Sequence, residues 1–420
     1  MNRVSKKGER INERRRMMEA VMMADPAREA RLAAIQMLIP IGLERVEEEL
    51  QQEVAALAGD RYARGKAMGS WGSNAGSVYV YDQKLKIRVP RVRRKDTDEE
   101  VPLMSYVRLQ SPQVIEDAAL RRVMNGISQN KYEKAVLSVP ETMGIKRESV
   151  SKKWIRASAK KLKKLMERSL SVYDIVAIIL DGKAFGDNEM ILALGITLSG
   201  EKVVLGMIEA SAESTEVCRD FVRGLIDRGL NTKNEILCVT DGSKGLRKGV
   251  KLALGEKAVM ARCHWHKREN VLDYLSQENK AVYRVKLQNA YEDPTYMGAK
   301  SRLDSIKREL RFINESAVHS LEEGMEETLT LHRLGLFEQL GTSLKTTNCI
   351  ENLNSQLGIY TDRVCRWHHS DHRRRWVAAS LLEIEPRLRK IKGHRHLPEL
   401  RIAMRELVRG KEQEALKDAA

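Results

Sequence analysis

Apolar positions along this chain change their period three times. From Pro26 to Leu57 they recur at helical spacing ("REARLAAIQMLIPIGLERVEEELQQEVAAL"), which predicts a helical region broken or kinked at Pro40. From Arg64 the pattern turns to Gly and Ser and then alternates ("SVYVYDQKLKIRVPRVR"), which predicts a loop leading into a short β-ribbon dense with cations. That ribbon is either a solvated hairpin edge guarded by charge or a surface for phosphate. From Asn130 the helical period returns. A helix running to about Met143, a turn at Gly144 and a second helix over Arg147 to Leu165 give a helix-turn-helix outline, with Ser149 or Ser151 near the second helix start. If that helix enters a major groove, Lys152, Lys153 and Arg156 lie on the face that meets bases or phosphates. An ordinary amphipathic helix with a basic solvent face is the alternative.

The third pattern begins at Tyr173 with short, β-branched apolar runs. "YDIVAIIL", "MILALGITL" and "KVVLGMIEA" read as three strands, "STEVCRDFVRGLIDRGL" as a helix, "NEILCVT" as a strand, "SKGLRKGVKLAL" as a helix and "KAVMAR" as a strand. Three strands, helix, strand, helix, strand is the order of a ribonuclease-H-like core. Residues from about Trp265 to Leu344 read as helical, an all-α insertion before a final helix starting near "KTTNCIENLN". The expected organisation is a helical N-terminal region (1–80), a β-ribbon and helix-turn-helix DNA-binding region (81–170), an α/β catalytic core of ribonuclease-H-like fold (171–264 and 345–390), the α-helical insertion (265–344) and a basic helical tail (391–420).

Composition narrows the partner. The chain has 420 residues, more than one hydrophobic core usually supports, and 74 Lys+Arg against 58 Asp+Glu leave a formal charge of +16. A polyanion, nucleic acid first, is the expected ligand. No run of about 18 apolar residues is present to span a bilayer, and the charged start from Met1 to Arg16 does not read as a signal peptide. A cytoplasmic, nucleoid-associated protein without membrane contact is expected. Five scattered cysteines, Cys218, Cys238, Cys263, Cys349 and Cys365, suit free thiols rather than a disulfide framework.

Three carboxylates stand out. Asp181 and Asp241 each follow an apolar run and precede glycine ("LDGK", "TDGS"), at strand ends where α/β proteins place chemistry, although Asp-Gly is also a common turn dipeptide. Glu351 lies in "TTNCIENLN", where Asn348 as N-cap and Glu351 three residues on would make a capping box. In a ribonuclease-H-like fold strand one, strand four and the last helix converge, so the three acids would meet. Phosphodiester cleavage needs an activated hydroxyl and a stabilised leaving oxyanion, which two divalent ions ~3.5–4 Å apart supply. Hard carboxylate oxygens suit Mg²⁺, or Mn²⁺.

The quoted segments "LDGKAFGDNEMILALGITLSGEKVVLG", "LCVTDGSKGL", "ARCHWHKRENVL" and "TTNCIENLN" together resemble the bacterial Mutator-type (IS256-like) DDE transposases, in this order and at similar separations over roughly residues 85 to 380. The resemblance implies that Asp181, Asp241 and Glu351 are the catalytic, metal-holding acids. It also implies a transposase that binds the terminal inverted repeats of its element and target DNA, at least as a homodimer on DNA. Cys263 and His266 fit the family's Cys-x-x-His signature, read as a structural or DNA-positioning element near the active site, with His266 expected near the scissile phosphate. A structural zinc site would need four ligands, and only "WHHSDH" offers a remote second set. A cysteine nucleophile is the further alternative. Where many such enzymes carry a basic residue two turns after the glutamate, position 358 is Gly, leaving Arg363 or Arg366 for that role. Asn348 and Asn354, flanking Glu351, either bind DNA or cap and bridge the helix. Trp367 and Trp376 are either stacking platforms among arginines or core residues. The rivals are a non-catalytic DNA-binding regulator and a nuclease that cuts without joining.

Overall fold

The computed structural model describes residues 26–59, 67–80, 83–110, 120–121, 123–124, 147–185, 188–210, 214–362, 364, 366–367 and 370–418. The chain divides into two compact units, residues 1–123 with 127–153, and residues 124–126 with 154–420. The first half of the expected helix-turn-helix lies outside the described residues. Its second helix is present as Arg147–Glu167.

In the first unit, helix α1 (Pro26–Ala58) runs unbroken through Pro40. Strands β1 (Met68–Val80) and β2 (Gln83–Arg94) form an antiparallel ribbon, joined by the short β3 (Glu100–Val101). The strand starts earlier than the sequence pattern suggests, because its Gly/Ser half pairs with β2 across a register shift between Ser70 and Ser73, where Gly72 has φ 77°. Leu50 and Val54 of α1 meet Val78, Leu85 and Val92 in one core. Glu53 closes that core's edge by accepting the backbone N–H groups of Met104 (2.6 Å) and Ser105 (2.9 Å) at the start of helix α2 (Met104–Gln110). Helix α3 is Arg147–Glu167.

The second unit is built on a five-stranded sheet of β4 (Ile175–Phe185), β5 (Asn188–Thr197), β6 (Lys202–Ala210), β7 (Ile236–Thr240) and β8 (Ala258–Arg262), in the order β6-β5-β4-β7-β8. β5 runs antiparallel to β4 and β6, while β4, β7 and β8 are parallel. Ile175 to Leu180 are all buried because both faces of β4 are covered, which is why the strand reads as a continuous apolar run. Helices α4 (Thr215–Asp227) and α5 (Lys244–Leu254) cover one face. Cys218, Phe221, Val222 and Leu225 of α4 lie on one stripe, and α5 comes close to it at Gly249, where a Cβ would lie 2.6 Å from that of Cys218. Among the described residues the first seven α-helices after β8 are α6 (His264–Leu272), α7 (Gln277–Tyr291), α8 (Tyr296–Leu310), α9 (Glu315–Glu322), α10 (Met325–Thr328), α11 (Thr330–Arg333) and α12 (Phe337–Leu344). Val271, Leu287, Leu303 and Leu321 belong to their shared core. Helices α13 (Asn348–Thr361), α14 (Ser370–Ile384) and α15 (Leu397–Asp418) complete the unit. The C-terminal helix is held in place by buried Leu397, Leu400 and Met404, and by Arg401 gripping Asp174 with two hydrogen bonds of 2.8 and 2.7 Å.

The sheet's edge strand β6 is blunted by charge. Glu385 accepts the Val204 N–H (2.7 Å) and both guanidinium arms of Arg168 (2.8 Å each), and Arg168 donates to the Val204 carbonyl. Arg228 donates to the carbonyls of Leu165 (2.9 Å) and Leu205. Glu385→Ala leaves Arg168 half-buried and unpaired beside Arg228, and is expected to cost ~3 kcal/mol in urea unfolding. The double variant Arg168→Met/Glu385→Leu should cost clearly less than Glu385→Ala alone, and equal losses would show that the charge pairing is not the cause.

Candidate active site

The parallel register of β4 and β7 decides where the first two acids stand. Ala177 is level with Leu237 and Ile179 with Val239, so two residues further on Asp181 and Asp241 reach the same height on neighbouring strands, which are spaced ~4.8 Å apart. The β7–β8 register continues the row. Thr240 is level with Arg262, and the Cys263 N–H donates to the Thr240 carbonyl (2.8 Å), which brings Cys263 beside Asp241.

The two Asp-Gly pairs differ in kind. Asp181-Gly182 lies inside β4, which runs on to Phe185, and is no turn. Asp241-Gly242 is the turn into α5. Its Oδ1 accepts the Ser243 N–H (2.9 Å), and Ser243 caps α5 by accepting the Leu246 N–H (3.4 Å). Gly242 is required twice over: its φ is 105°, and a Cβ there would lie 2.0 Å from the Arg262 guanidinium.

Glu351 arrives on α13, which packs against β4 and buries Ile350, Leu353 and Leu357. The helix is capped at Thr347, one residue earlier than expected, and Asn348 is exposed as its first residue. Glu351 therefore does not reach back in a capping box. It accepts the Thr347 hydroxyl (2.6 Å) instead. One turn on, Asn354 donates from Nδ2 to Asp181 Oδ2 (3.0 Å), and Lys183 donates to the Asn354 carbonyl (2.9 Å). These bonds join the third acid's helix to the first acid's strand. Asn354 Oδ1 is buried without a hydrogen-bond partner among the described residues.

The segment "RCHWHKREN" divides by side. Cys263 is the N-cap residue of α6 and His266 lies one turn along, and both turn towards the acids. Donor atoms of Cys263, His266 and Glu351 all lie within 4.8 Å of one another. Thr347, fully buried, touches all three: its hydroxyl is 3.5 Å from Cys263 Sγ and 3.4 Å from His266 Nδ1, and its N–H donates to the sulfur at 3.4 Å. Burial alone would lower the His266 pKa, but the Cys263 sulfur and the charges of Asp241 and Asp181 raise it overall, so the imidazolium is favoured. Burial pushes the Cys263 thiol up, and hydrogen bonds from His266 and Thr347 more than reverse it.

Arg262, His264 and Lys267 face the other way. Arg262 donates to the Glu323 carbonyl (2.9 Å), Lys267 to the carbonyls of Ser320 and Glu323, and His264 to the Thr328 carbonyl (2.7 Å) in a ring stack with Tyr291 and His332. Burial holds Lys267 down to about 7 and His264 down to about 3.

The remaining candidates are dispersed. Lys152 and Arg156 are exposed on α3, but Lys153 is 7% exposed and is removed from that face, a correction set by helix phase. Arg366 is exposed, and Arg363 lies outside the described residues, as does Cys365. Trp376 is a core residue, 5.1 Å from Trp154 and donating to His372 Nε2 (3.0 Å), whereas Trp367 meets Phe185 edge to face at 5.8 Å. Two partners escaped the sequence reading. Thr347 gives no signal beyond lying next to the motif. Glu189, whose carboxyl is pushed up by burial and by Asp241, is the second residue of β5, eight after Asp181, and could have been found as an acid across the hairpin. Among the described residues no helix is long and apolar enough to cross a membrane.

The buried, neutral His264 has a pH consequence. Its folded pKa of about 3 lies below the ordinary 6.5, so as pH falls through 6.5 the unfolded chain takes up a proton that the folded one does not, and stability is lost at up to ~1.4 kcal/mol per pH unit. His264→Phe should therefore show a shallower fall of unfolding free energy between pH 6.5 and 5 than the wild type. Equal slopes in urea titrations would sink this reading.

Comparison with known proteins adds a family to this geometry. The transposase for insertion sequence element ISRM5 of Rhizobium meliloti (strain 1021) is 28% identical over 329 residues, covering 75% of this chain and 78% of the relative. The transposase for insertion sequence element IS256 in transposon Tn4001 of Staphylococcus aureus is 24% identical over 290 residues, 65% of this chain and 70% of the relative. The transposase for insertion sequence element IS905 of Lactococcus lactis subsp. lactis (strain IL1403) is 28% identical over a shorter stretch of 172 residues, 41% of this chain. The model of the transposases of the Mutator family matches residues 16–384, and the chain belongs to that family.

Proposed function

We propose that the protein is a DNA transposase that binds the terminal inverted repeats of an insertion sequence and cuts and joins DNA strands at Asp181, Asp241 and Glu351. The observation that carries this is the level placement of Asp181 and Asp241 on adjacent parallel strands, with Asn354 of the Glu351 helix bonded to Asp181. The three-strand, helix, strand, helix, strand order and the position of the acids support a ribonuclease-H-like reading of 171–264 with 345–390, interrupted by the helices of 265–344. Residues 1–80 and 81–170 take the DNA-recognition role in this reading, with 391–420 as a helical tail. A cytoplasmic, nucleoid-associated protein acting as a homodimer on paired DNA ends follows from the same reading.

The residues fit divalent cations. Three carboxylates offer hard oxygens, and the buried, unpartnered Asn354 Oδ1 leaves an acceptor next to Asp181 for a hydrated ion. When bound, Mg²⁺ or Mn²⁺ supplies the positive charge that activates the attacking oxygen and stabilises the leaving one. The chain's own residues fix the acids. Asn354 orients Asp181, the Ser243 N–H orients Asp241, and the Thr347 hydroxyl orients Glu351. His266, favoured as imidazolium, places a positive charge and a transferable proton among them, next to where a phosphate would lie. Lys152, Arg156 and Arg366 offer exposed cations for phosphates, and Lys183 holds the strand-to-helix joint.

On a labelled duplex bearing the element's end, Asp241→Asn should bind like wild type while cleavage and joining with Mg²⁺ fall at least ~100-fold, equivalent to ~2.7 kcal/mol. A variant that reacts like wild type would refute the acid assignment. A wild type that binds yet is inert with both Mg²⁺ and Mn²⁺ would favour the regulator. Arg156→Ala should weaken binding to end and unrelated DNA alike and reduce the salt slope by about one. Weakening confined to the end sequence would mean base readout instead.

A further inference from the structure

We propose that Cys263, His266 and Glu351 form a second cation site, selective for a borderline transition metal such as Zn²⁺, which shares Glu351 with the carboxylate centre. A thiol, an imidazole and a carboxylate are brought together from the end of β8, the first turn of α6 and the first turn of α13, with donor atoms within 4.8 Å of one another. Zinc bonds of ~2.0–2.3 Å imply ligand separations of ~3.4–3.6 Å in a tetrahedron, so closing the site takes side-chain movement of about 1 Å and no refolding.

The frame is already tied. The Cys263 N–H donates to Thr240 (2.8 Å), and its carbonyl accepts the Lys267 N–H (3.0 Å). The His264 N–H donates to the Lys345 carbonyl (2.9 Å), which binds the start of α6 to the segment entering α13. Thr347 supplies an outer layer, donating to Glu351 Oε1 and touching the sulfur and His266 Nδ1, as metal-bound groups are commonly oriented. Nearby Asp241 and Asp181 favour a cation.

Donor chemistry separates this site from the carboxylate centre. Mg²⁺ takes oxygen and has no use for sulfur, whereas a thiolate, an imidazole and a carboxylate suit Zn²⁺ or Co²⁺. On binding, the Cys263 thiol proton and, where the ring is protonated, one His266 proton leave to solvent, as one bond each forms from the metal to the sulfur, to the imidazole nitrogen and to the Glu351 carboxylate. Three protein ligands leave a fourth position open. Occupancy holds Glu351 at Cys263 and His266, where it already stands, and keeps it from an ion at Asp181 and Asp241, so Zn²⁺ would oppose Mg²⁺-dependent cleavage. That consequence rests on the proposed function, while the site itself does not.

The test uses Co²⁺ as an optical probe on the full chain. A near-ultraviolet sulfur-to-cobalt band is expected in the wild type and in Asp181→Asn, absent in Cys263→Ser, and displaced by Zn²⁺ but not by excess Mg²⁺. No band in the wild type, or a band that survives in Cys263→Ser, overturns the proposal. Should circular dichroism show Cys263→Ser unfolded, zinc X-ray absorption of the wild type decides: one sulfur at ~2.3 Å is expected, and oxygen and nitrogen alone overturn it. A missing band with intact DNA cleavage removes only this site. A band without cleavage removes only the transposase reading.

Discussion

Parallel strands in register carry equivalent positions to the same height, and in this protein that constraint decides which polar groups stand together. Because Ile179 is level with Val239 and Thr240 with Arg262, the row that follows is Asp181, Asp241 and Cys263, the first where the apolar run of β4 stops and the other two just past the ends of β7 and β8. A slip of one residue between β4 and β7 would turn Asp181 to the face covered by α4 and α5 and leave a carboxylate in an apolar core. The register is thus held by the burial of Ile178, Leu180 and Cys238 on one face, and the acids stand where they do because the apolar residues before them have no other side to face.

The third acid depends on a different kind of contact. Helix α13 arrives after the long helical stretch, and no sheet register reaches it. Asn354 bonded to Asp181, Lys183 bonded to the Asn354 carbonyl, and Thr347 set between Cys263, His266 and Glu351 lock it against β4 and the start of α6. These are polar, directional bonds in a mostly buried setting, where each unmade bond is costly. They specify the rotation of α13 about its axis, which the apolar contacts of Ile350, Leu353 and Leu357 alone leave looser.

Much of the sheet was legible in the sequence, since strands covered on both faces read as continuous apolar runs and the two aspartates end or interrupt such runs. The helix period likewise announced α4, α5 and the helices from His264 to Leu344. What was not legible depended on partners distant in the chain. The Gly/Ser-rich start of β1 is a strand because β2 pairs with it, and Gly76 fits there because a Cβ would meet Val89 at 2.4 Å. Lys153 reads as one of three cations within five residues, yet helix phase puts it with Trp154 and Ala157 on the buried side. Thr347 looks like an ordinary residue before a helix, and its role emerges only when Cys263, 84 residues earlier, lands against it.

A strongly basic chain built around an acidic site faces two ranges of electrostatics. On the proposed function, the +16 charge attracts a polyanion from a distance, within about a Debye length of the surface, and exposed cations such as Lys152, Arg156 and Arg366 are placed to take part. At contact the sign reverses, because Asp181, Asp241, Glu351 and Glu189 repel a phosphate unless cations stand between them. His266 is the protein's own partial answer, with its positive form favoured by the very acids it sits among. Even when protonated, one imidazole cannot balance several carboxylates, so on the proposed function affinity for DNA and reactivity towards it are separable. On the proposed function the first resides in exposed cations that need no metal, and the second in a half-buried cluster whose charge must be compensated before a phosphate can approach.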